Sequence, residues 1–173
     1  ILKDQYVNEF PFGYRDMIER LEYADGTVWD YFKLAQHVID LASTSGDDLI
    51  FGFDIANSHD GGAGDDRLEG MGGGDTYIFG RGYGTDTIFD SASGAQGDRL
   101  ILTDIALDDV DFSRAANDLI LTVRATGDRI VLDEQYNRSG NQKNAVESFV
   151  FSDRIGSYKD LNPEDIDLVG TAA

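Results

Sequence analysis

Hydrophobic and polar positions follow three different rules along the chain. Near the N-terminus, apolar residues over 18–24 and 27–29 flank Asp25-Gly26, the pattern of a β-hairpin on a tight turn. Phe32, Leu34, Ala35, Val38, Ile39 and Leu41 then recur at helical spacing, which predicts a helix over 31–42 capped by Asp30. Between Ser45 and Asp90 the period changes to nine. Each nine-residue unit carries x-U-x, a short strand whose large apolar U side chain turns inward. Ile50, Leu68, Tyr77 and Ile88 take that place. Further on, 99–103, 110–114, 118–124 and 129–133 read as short strands, with turns at Asn117-Asp118 and Thr126-Gly127-Asp128. The tail, 155–173, reads as a weak copy of the helical linker, with Pro163 in a first helical turn.

The two flanks also resemble each other. Ile18 to Asp25 matches Val146 to Asp153 at an offset of 128, and Ile39 to Thr44 matches Ile166 to Thr171 at 127. Ile1 and Asp4 match Ile130 and Asp133 at 129. Ordered, near-constant offsets mark a tandem array, so the chain spans slightly more than one of its periods. Opening on Ile1 without the basic and apolar regions of a signal peptide, it reads as an excised domain.

Charge and glycine sharpen this picture. The chain has 33 acidic and 14 basic residues, a formal net charge of −19, and 26 of the acids are Asp. Such a surface repels nucleic acid and anionic lipid and attracts cations. The preference for Asp points to short carboxylates held in tight turns. No apolar run is long enough to span a membrane. Without cysteine there is no disulfide frame and no thiolate chemistry, so bound metal is a natural staple. Residues 45–98 hold 14 of the 20 glycines, with Arg67 and Arg81 as their only basic residues.

Glycine and Asp fall at fixed places in the nine-residue unit. Gly61-Gly62-Ala63-Gly64-Asp65-Asp66-Arg67-Leu68-Glu69 fits G-G-x-G-x-D-x-U-x, a known calcium-binding repeat. Gly46-Asp47-Asp48-Leu49-Ile50-Phe51-Gly52 ends the unit before, and Gly70-Met71-Gly72-Gly73-Gly74-Asp75-Thr76-Tyr77-Ile78 follows. Six residues must turn the chain and aim carbonyls at one point, which glycine permits, and Asp closes the turn with a carboxylate. Calcium takes six to eight oxygens at roughly 2.3–2.6 Å. If nine residues make a half-turn, sites on one side recur every eighteen, and Asp48 and Asp66 share an ion.

These residues resemble the RTX (repeats-in-toxin, haemolysin-type calcium-binding) family. Gly80-Arg81-Gly82-Tyr83-Gly84-Thr85-Asp86-Thr87-Ile88 is similar to the closing turn of RTX blocks, although two inserted residues break the register. Ile18 to Trp29 and Asn117-Asp118-Leu119 resemble the haemolysin-type calcium-binding-related domain that follows such blocks. The resemblance implies an all-β-dominated fold: a parallel β-roll with capping strands and hairpins and a short N-terminal helix. On that reading 1–43 is the tail of a preceding module and 44–98 the calcium-binding roll. Residues 99–154 are capping strands, and 155–173 link toward a next repeat.

In that family each ion sits between two turns, taking carbonyls of motif positions 2 and 4 from one, 1 and 3 from the other, and the Asp of both. Carried over, one site is Thr44, Gly46 and Asp48 with Gly61, Ala63 and Asp66. A second is Gly62, Gly64 and Asp66 with Asp86. A third is Met71, Gly73 and Asp75 with Asp98. The unit from Gly52 to Asp60 departs from the motif: Phe53, Ile55, Asn57 and His59 stand where Gly, Gly, Asp and an apolar residue are expected.

Other residues read as structural. His59 is a degenerate core position and His37 a surface one. Trp29, Tyr23 and Phe32 pack the hairpin on the helix. Asp108, Asp109 and Asp111 form a solvated or strand-edge charge cluster. No zinc-protease, nucleophile-elbow or phosphate-loop motif occurs, and paired Asp residues in glycine-rich turns are better ion ligands than glycosidase acids, so the chain is expected not to be an enzyme. With many carboxylates and no ions, the turns are expected to unfold, and several calcium ions to fold them. The resemblance implies a module of a secreted bacterial toxin or adhesin that passes a type I secretion apparatus before folding in extracellular calcium. A host-cell or other surface receptor is a further expected partner. An accessory domain of a secreted hydrolase or epimerase is the alternative parent.

Overall fold

The computed structural model describes residues 20–90, 97–136, 146–157 and 167–168. The chain enters through a hairpin, β1 (Arg20–Glu22) and β2 (Val28–Asp30), then a helix, α1 (Tyr31–Ala42). Short strands follow: β3 (Leu49–Phe51), β4 (Ser58–Asp60), β5 (Arg67–Glu69), β6 (Thr76–Phe79), β7 (Thr85–Phe89) and β8 (Arg99–Leu102). Then come β9 (Val110–Ala115), β10 (Asp118–Val123), β11 (Arg129–Leu132), β12 (Ser148–Val150), β13 (Ile155–Ser157) and β14 (Asp167–Leu168).

Asp30 starts the helix, its Oδ1 accepting the Lys33 N–H at 2.9 Å. Only Ala35 and Ile39 of the helix are buried, while Phe32, Val38 and Leu41 of the expected apolar face are exposed. Trp29 stacks edge-on against Tyr23 and against His37, so His37 rather than Phe32 meets the indole.

A single parallel β-roll is not what forms. The strands make three sheets: β1-β2, a seven-stranded sheet ordered β14-β9-β10-β11-β7-β5-β3, and a five-stranded sheet ordered β13-β12-β8-β6-β4. Pairing is parallel from β3 through β5 and β7 to β11, and from β4 through β6 and β8 to β12. It turns antiparallel at β10 with β9 and β11, and at β12 with β13. The reason lies in the connections. Two residues join β9 to β10 and five join β10 to β11, too few for the crossover that parallel neighbours require. The chain must therefore reverse. The expected helical tail is also corrected: 155–157 and 167–168 are strands, and Pro163 lies outside the described residues.

Alternate strands feed alternate sheets, so every inward residue of the nine-residue pattern meets one interior. Ile50, Leu68, Ile88 and Ile130 come from one sheet, and His59, Tyr77, Leu100 and Phe149 from the other. None is more than 3% exposed. Burying each aliphatic or aromatic side chain contributes roughly 1.5–3 kcal/mol. Leu119, Leu121 and Leu132 extend the cluster into the antiparallel strands.

Candidate metal centre

The turns between strands stack in register on both sides of the interior. Gly62 and Gly64 lie over the turn eighteen residues earlier, with φ of +84° and +138°. A Cβ on Gly62 would stand 2.7 Å from the Thr44 carbonyl oxygen, and one on Gly64 2.6 Å from that of Gly46. Only glycine brings backbone that close in those conformations. The next turn repeats this approach, Gly84 lying over the Gly64 carbonyl, and on the other side Gly73 lies over Ile55.

Carboxylates connect the stacked turns. Asp66 Oδ1 accepts the Asp48 N–H at 2.8 Å, and Asp86 Oδ1 accepts the Asp66 N–H at 3.1 Å. Opposite, Asp75 Oδ1 accepts the Asn57 N–H at 2.8 Å, Asp98 Oδ1 the Asp75 N–H at 2.7 Å, and Glu147 Oε2 the Asp98 N–H at 2.7 Å. Each acid thus reaches back one layer with one oxygen. The second oxygens of Asp66, Asp75 and Asp86 are buried without a hydrogen-bond partner. Among the described residues no ion pair involves Asp66, Asp75, Asp86 or Asp98.

Unpartnered buried carboxylate oxygens are costly, because charge is poorly tolerated away from water. Burial, the largest cause, pushes Asp75, Asp86 and Asp98 up to about 7. Asp66 is raised for the same reason. Neighbouring acids add to it, Asp90 and Asp98 acting on Asp75, and Asp90 and Glu147 on Asp98. Three buried carboxylates, Asp75, Asp90 and Asp98, place one oxygen each within 4.8 Å of one another. A hard divalent cation fits this donor set: it would neutralise the charges and take the orphaned Asp75 Oδ2, leaving carbonyls to fill its shell.

The structure gathers the sequence-derived residues as follows. Thr44, Gly46 and Asp48 lie one layer from Gly62, Gly64 and Asp66, and Gly61 lies against Asp66 Oδ2. Ala63 is exposed. Asp48 is only half-buried, and it folds back on its own turn, accepting the Thr44 N–H at 2.6 Å. Gly64 and Asp66 contact the layer of Gly84 and Asp86. Asp75 contacts Asp98, while Met71 is exposed with φ +71°. The departing unit keeps its place. Asn57 Oδ1 accepts the Phe53 N–H at 2.7 Å, the turn-closing bond that Asp48 makes to Thr44.

Three acids escaped the nine-residue pattern. Asp90 follows β7 where Gly52 and Gly70 follow β3 and β5, and its Oδ2 accepts the Tyr77 hydroxyl at 2.9 Å. Glu147 and Asp128 each precede an inward-facing strand residue. The signal was present as acid-x-apolar: Asp66-Arg67-Leu68, Asp98-Arg99-Leu100, Asp128-Arg129-Ile130 and Glu147-Ser148-Phe149. Asp128 differs chemically. Burial alone would raise it, but hydrogen bonds from Thr126 and the Gly82 and Gly84 amides, with the Arg81 charge, hold it below the usual carboxylate range.

Residues 118–153 match the haemolysin-type calcium binding protein related domain. The match covers 36 of the 173 residues, from β10 through Asp128, Glu147 and β12 into the turn before β13. It suggests calcium binding. No curated protein matches the chain. The matched stretch contributes Asp128, which accepts the Gly82 and Gly84 amides, and Glu147, which accepts the Asp98 amide, at the far ends of the two walls.

Proposed function

We propose that the chain is a calcium-binding module of a larger secreted bacterial toxin or adhesin, whose stacked turns order when calcium enters them after export through a type I secretion apparatus. The observation that carries this reading is the set of three buried oxygens, Asp66 Oδ2, Asp75 Oδ2 and Asp86 Oδ2, that no protein group satisfies. Thr44, Gly46, Asp48, Gly61, Gly62, Ala63, Gly64 and Asp66 would hold ions on one side with Asp86. Met71, Gly73, Asp75 and Asp98 would hold them on the other, joined by Asp90. Calcium supplies positive charge and no redox chemistry, so its role is to fasten turns together. The module is proposed to be non-catalytic.

The test pairs titration calorimetry with far-ultraviolet circular dichroism in chelator and in millimolar calcium. The reading expects more than one ion per chain and a gain of β signal on binding. A chain that binds no calcium, or shows the same β content in chelator, would falsify it.

A further inference from the structure

We infer that the β1-β2 hairpin is the terminal hairpin of a preceding copy of this module, and that the outer edge of β1 pairs in parallel with that copy's counterpart of β8. The inference rests on hairpin geometry and stands apart from the calcium reading.

Residues 20–22 and 148–150 are related by an offset of 128, and both are strands, β1 and β12. The partner strands align at 127. Arg20 pairs with Asp30 and Leu21 with Trp29, as Ser148 pairs with Ser157 and Phe149 with Gly156. The bond closing each hairpin is also the same. Tyr23 N–H donates to the Thr27 carbonyl at 2.8 Å, and Phe151 N–H to that of Arg154 at 2.8 Å. The single-residue difference in offset falls inside the turn. One sequence repeat thus makes one hairpin twice.

Their surroundings differ. β12 has β13 on one edge and β8 on the other, in parallel register Ser148 to Arg99, Phe149 to Leu100 and Val150 to Ile101. Among the described residues β1 has β2 alone. Because the Tyr23 amide points to β2, strand alternation turns the Glu22 amide to the other edge. Phe149 is fully buried, whereas its counterpart Leu21 is half-exposed. By this correspondence the strand that fits the outer edge of β1 is of the Arg99–Ile101 kind, with a leucine-sized residue set against Leu21. The correspondence ends where the sheet does. Asp40-Leu41 is helical and packs beside β3 and β4, while Asp167-Leu168 pairs with β9.

The test is a two-copy protein in which residues 1–147 run directly into residues 20–173, so that β1-β2 replaces the first copy's terminal hairpin. Hydrogen exchange at the junction Glu22 amide should slow about tenfold or more relative to the single chain. Leu21→Asp at the junction should lower the unfolding midpoint of the fusion and leave that of the single chain unchanged. Equal Glu22 exchange in both proteins overturns the inference. Should the fusion not fold, a graft of residues 20–30 in place of 148–157 within one chain decides. Protected amides over Arg99–Leu102 support the pairing, and their loss with the parent chain intact refutes it.

Discussion

His59 lies almost flat on Tyr77, ring centroids 5.2 Å apart and planes 20° from parallel, in the interior shared by the two larger sheets. Both imidazole nitrogens are buried without a hydrogen-bond partner. The ring holds a strand position that Leu68 and Leu100 hold elsewhere, and the unmet nitrogens work against folding. His59→Leu is expected to raise stability in saturating calcium by about 1–2 kcal/mol, the usual penalty for unsatisfied buried polar groups. Thermal denaturation of the two proteins checks this. A lower midpoint for the leucine variant would show that the stack on Tyr77 outweighs the desolvation.

The same histidine and the buried acids give opposite pH dependences. Burial lowers His59 from 6.5 to about 4, so the unfolded chain takes up a proton first and stability falls as pH drops from about 6.5 to 4. Asp75, Asp86 and Asp98 are raised from 3.8 to about 7, so the folded chain keeps protons that the unfolded chain releases. Their contribution to ion-free folding is full below about 4 and lost as pH rises through 7. Three sites oppose one. Chelator-treated protein should therefore gain ordered structure on acidification from pH 8 to 5, more so in His59→Leu. Circular dichroism across that range checks the sign.

Calcium should invert that trend, because the ion requires the carboxylates deprotonated. Affinity is expected to fall steeply between pH 7 and 5. Calorimetric titrations at the two pH values measure it, and an unchanged affinity would mean that the buried acids do not touch the ion.

Asp75→Asn keeps an oxygen for the Asn57 amide and removes the charge. It should weaken calcium binding by tenfold or more, about 1.4 kcal/mol or beyond, and lower the number of ions bound. The same change at Asp111, an exposed partner of Arg124, should leave binding unaltered. Terbium or calcium titration separates the two.

Gly64→Ala forces a side chain onto the Gly46 carbonyl oxygen at 2.6 Å with φ +138°. The expected loss is about 2–3 kcal/mol, from strain and contact together. Gly127 also has positive φ, but a Cβ there meets nothing within 4 Å. Gly127→Ala should cost about 1 kcal/mol, the left-handed penalty alone. Comparing the two midpoints isolates the stacking of the turns.

Much of this was legible in the residues and some was not. The inward positions Ile50, Leu68, Tyr77 and Ile88 followed from a period of nine, and the helix from Asp30 onward followed from its cap and spacing. Sheet order did not, because the period says nothing once it lapses. The strands β9, β10 and β11 and the turns between them were legible, at Asn117-Asp118 and Thr126-Gly127-Asp128, but not that they join the parallel strands in one seven-stranded mixed sheet. Asp86 and Asp98 were placed by kind despite inserted residues, since a carboxylate before an inward residue survives a break in register. Asp90 was missed because it stands where the preceding layers need glycine. A pattern match reads that substitution as decay, although the space it fills is the interior.

The carboxylate of Asp128 is met by the Gly82 and Gly84 amides, so the last layer of that wall needs no cation to hold its shape. Beside it β9, β10 and β11 are joined by short reversals and packed on Leu119, Leu121 and Ile130. This corner is therefore expected to stay ordered when chelator strips the earlier layers, leaving them a foothold from which to be relaid.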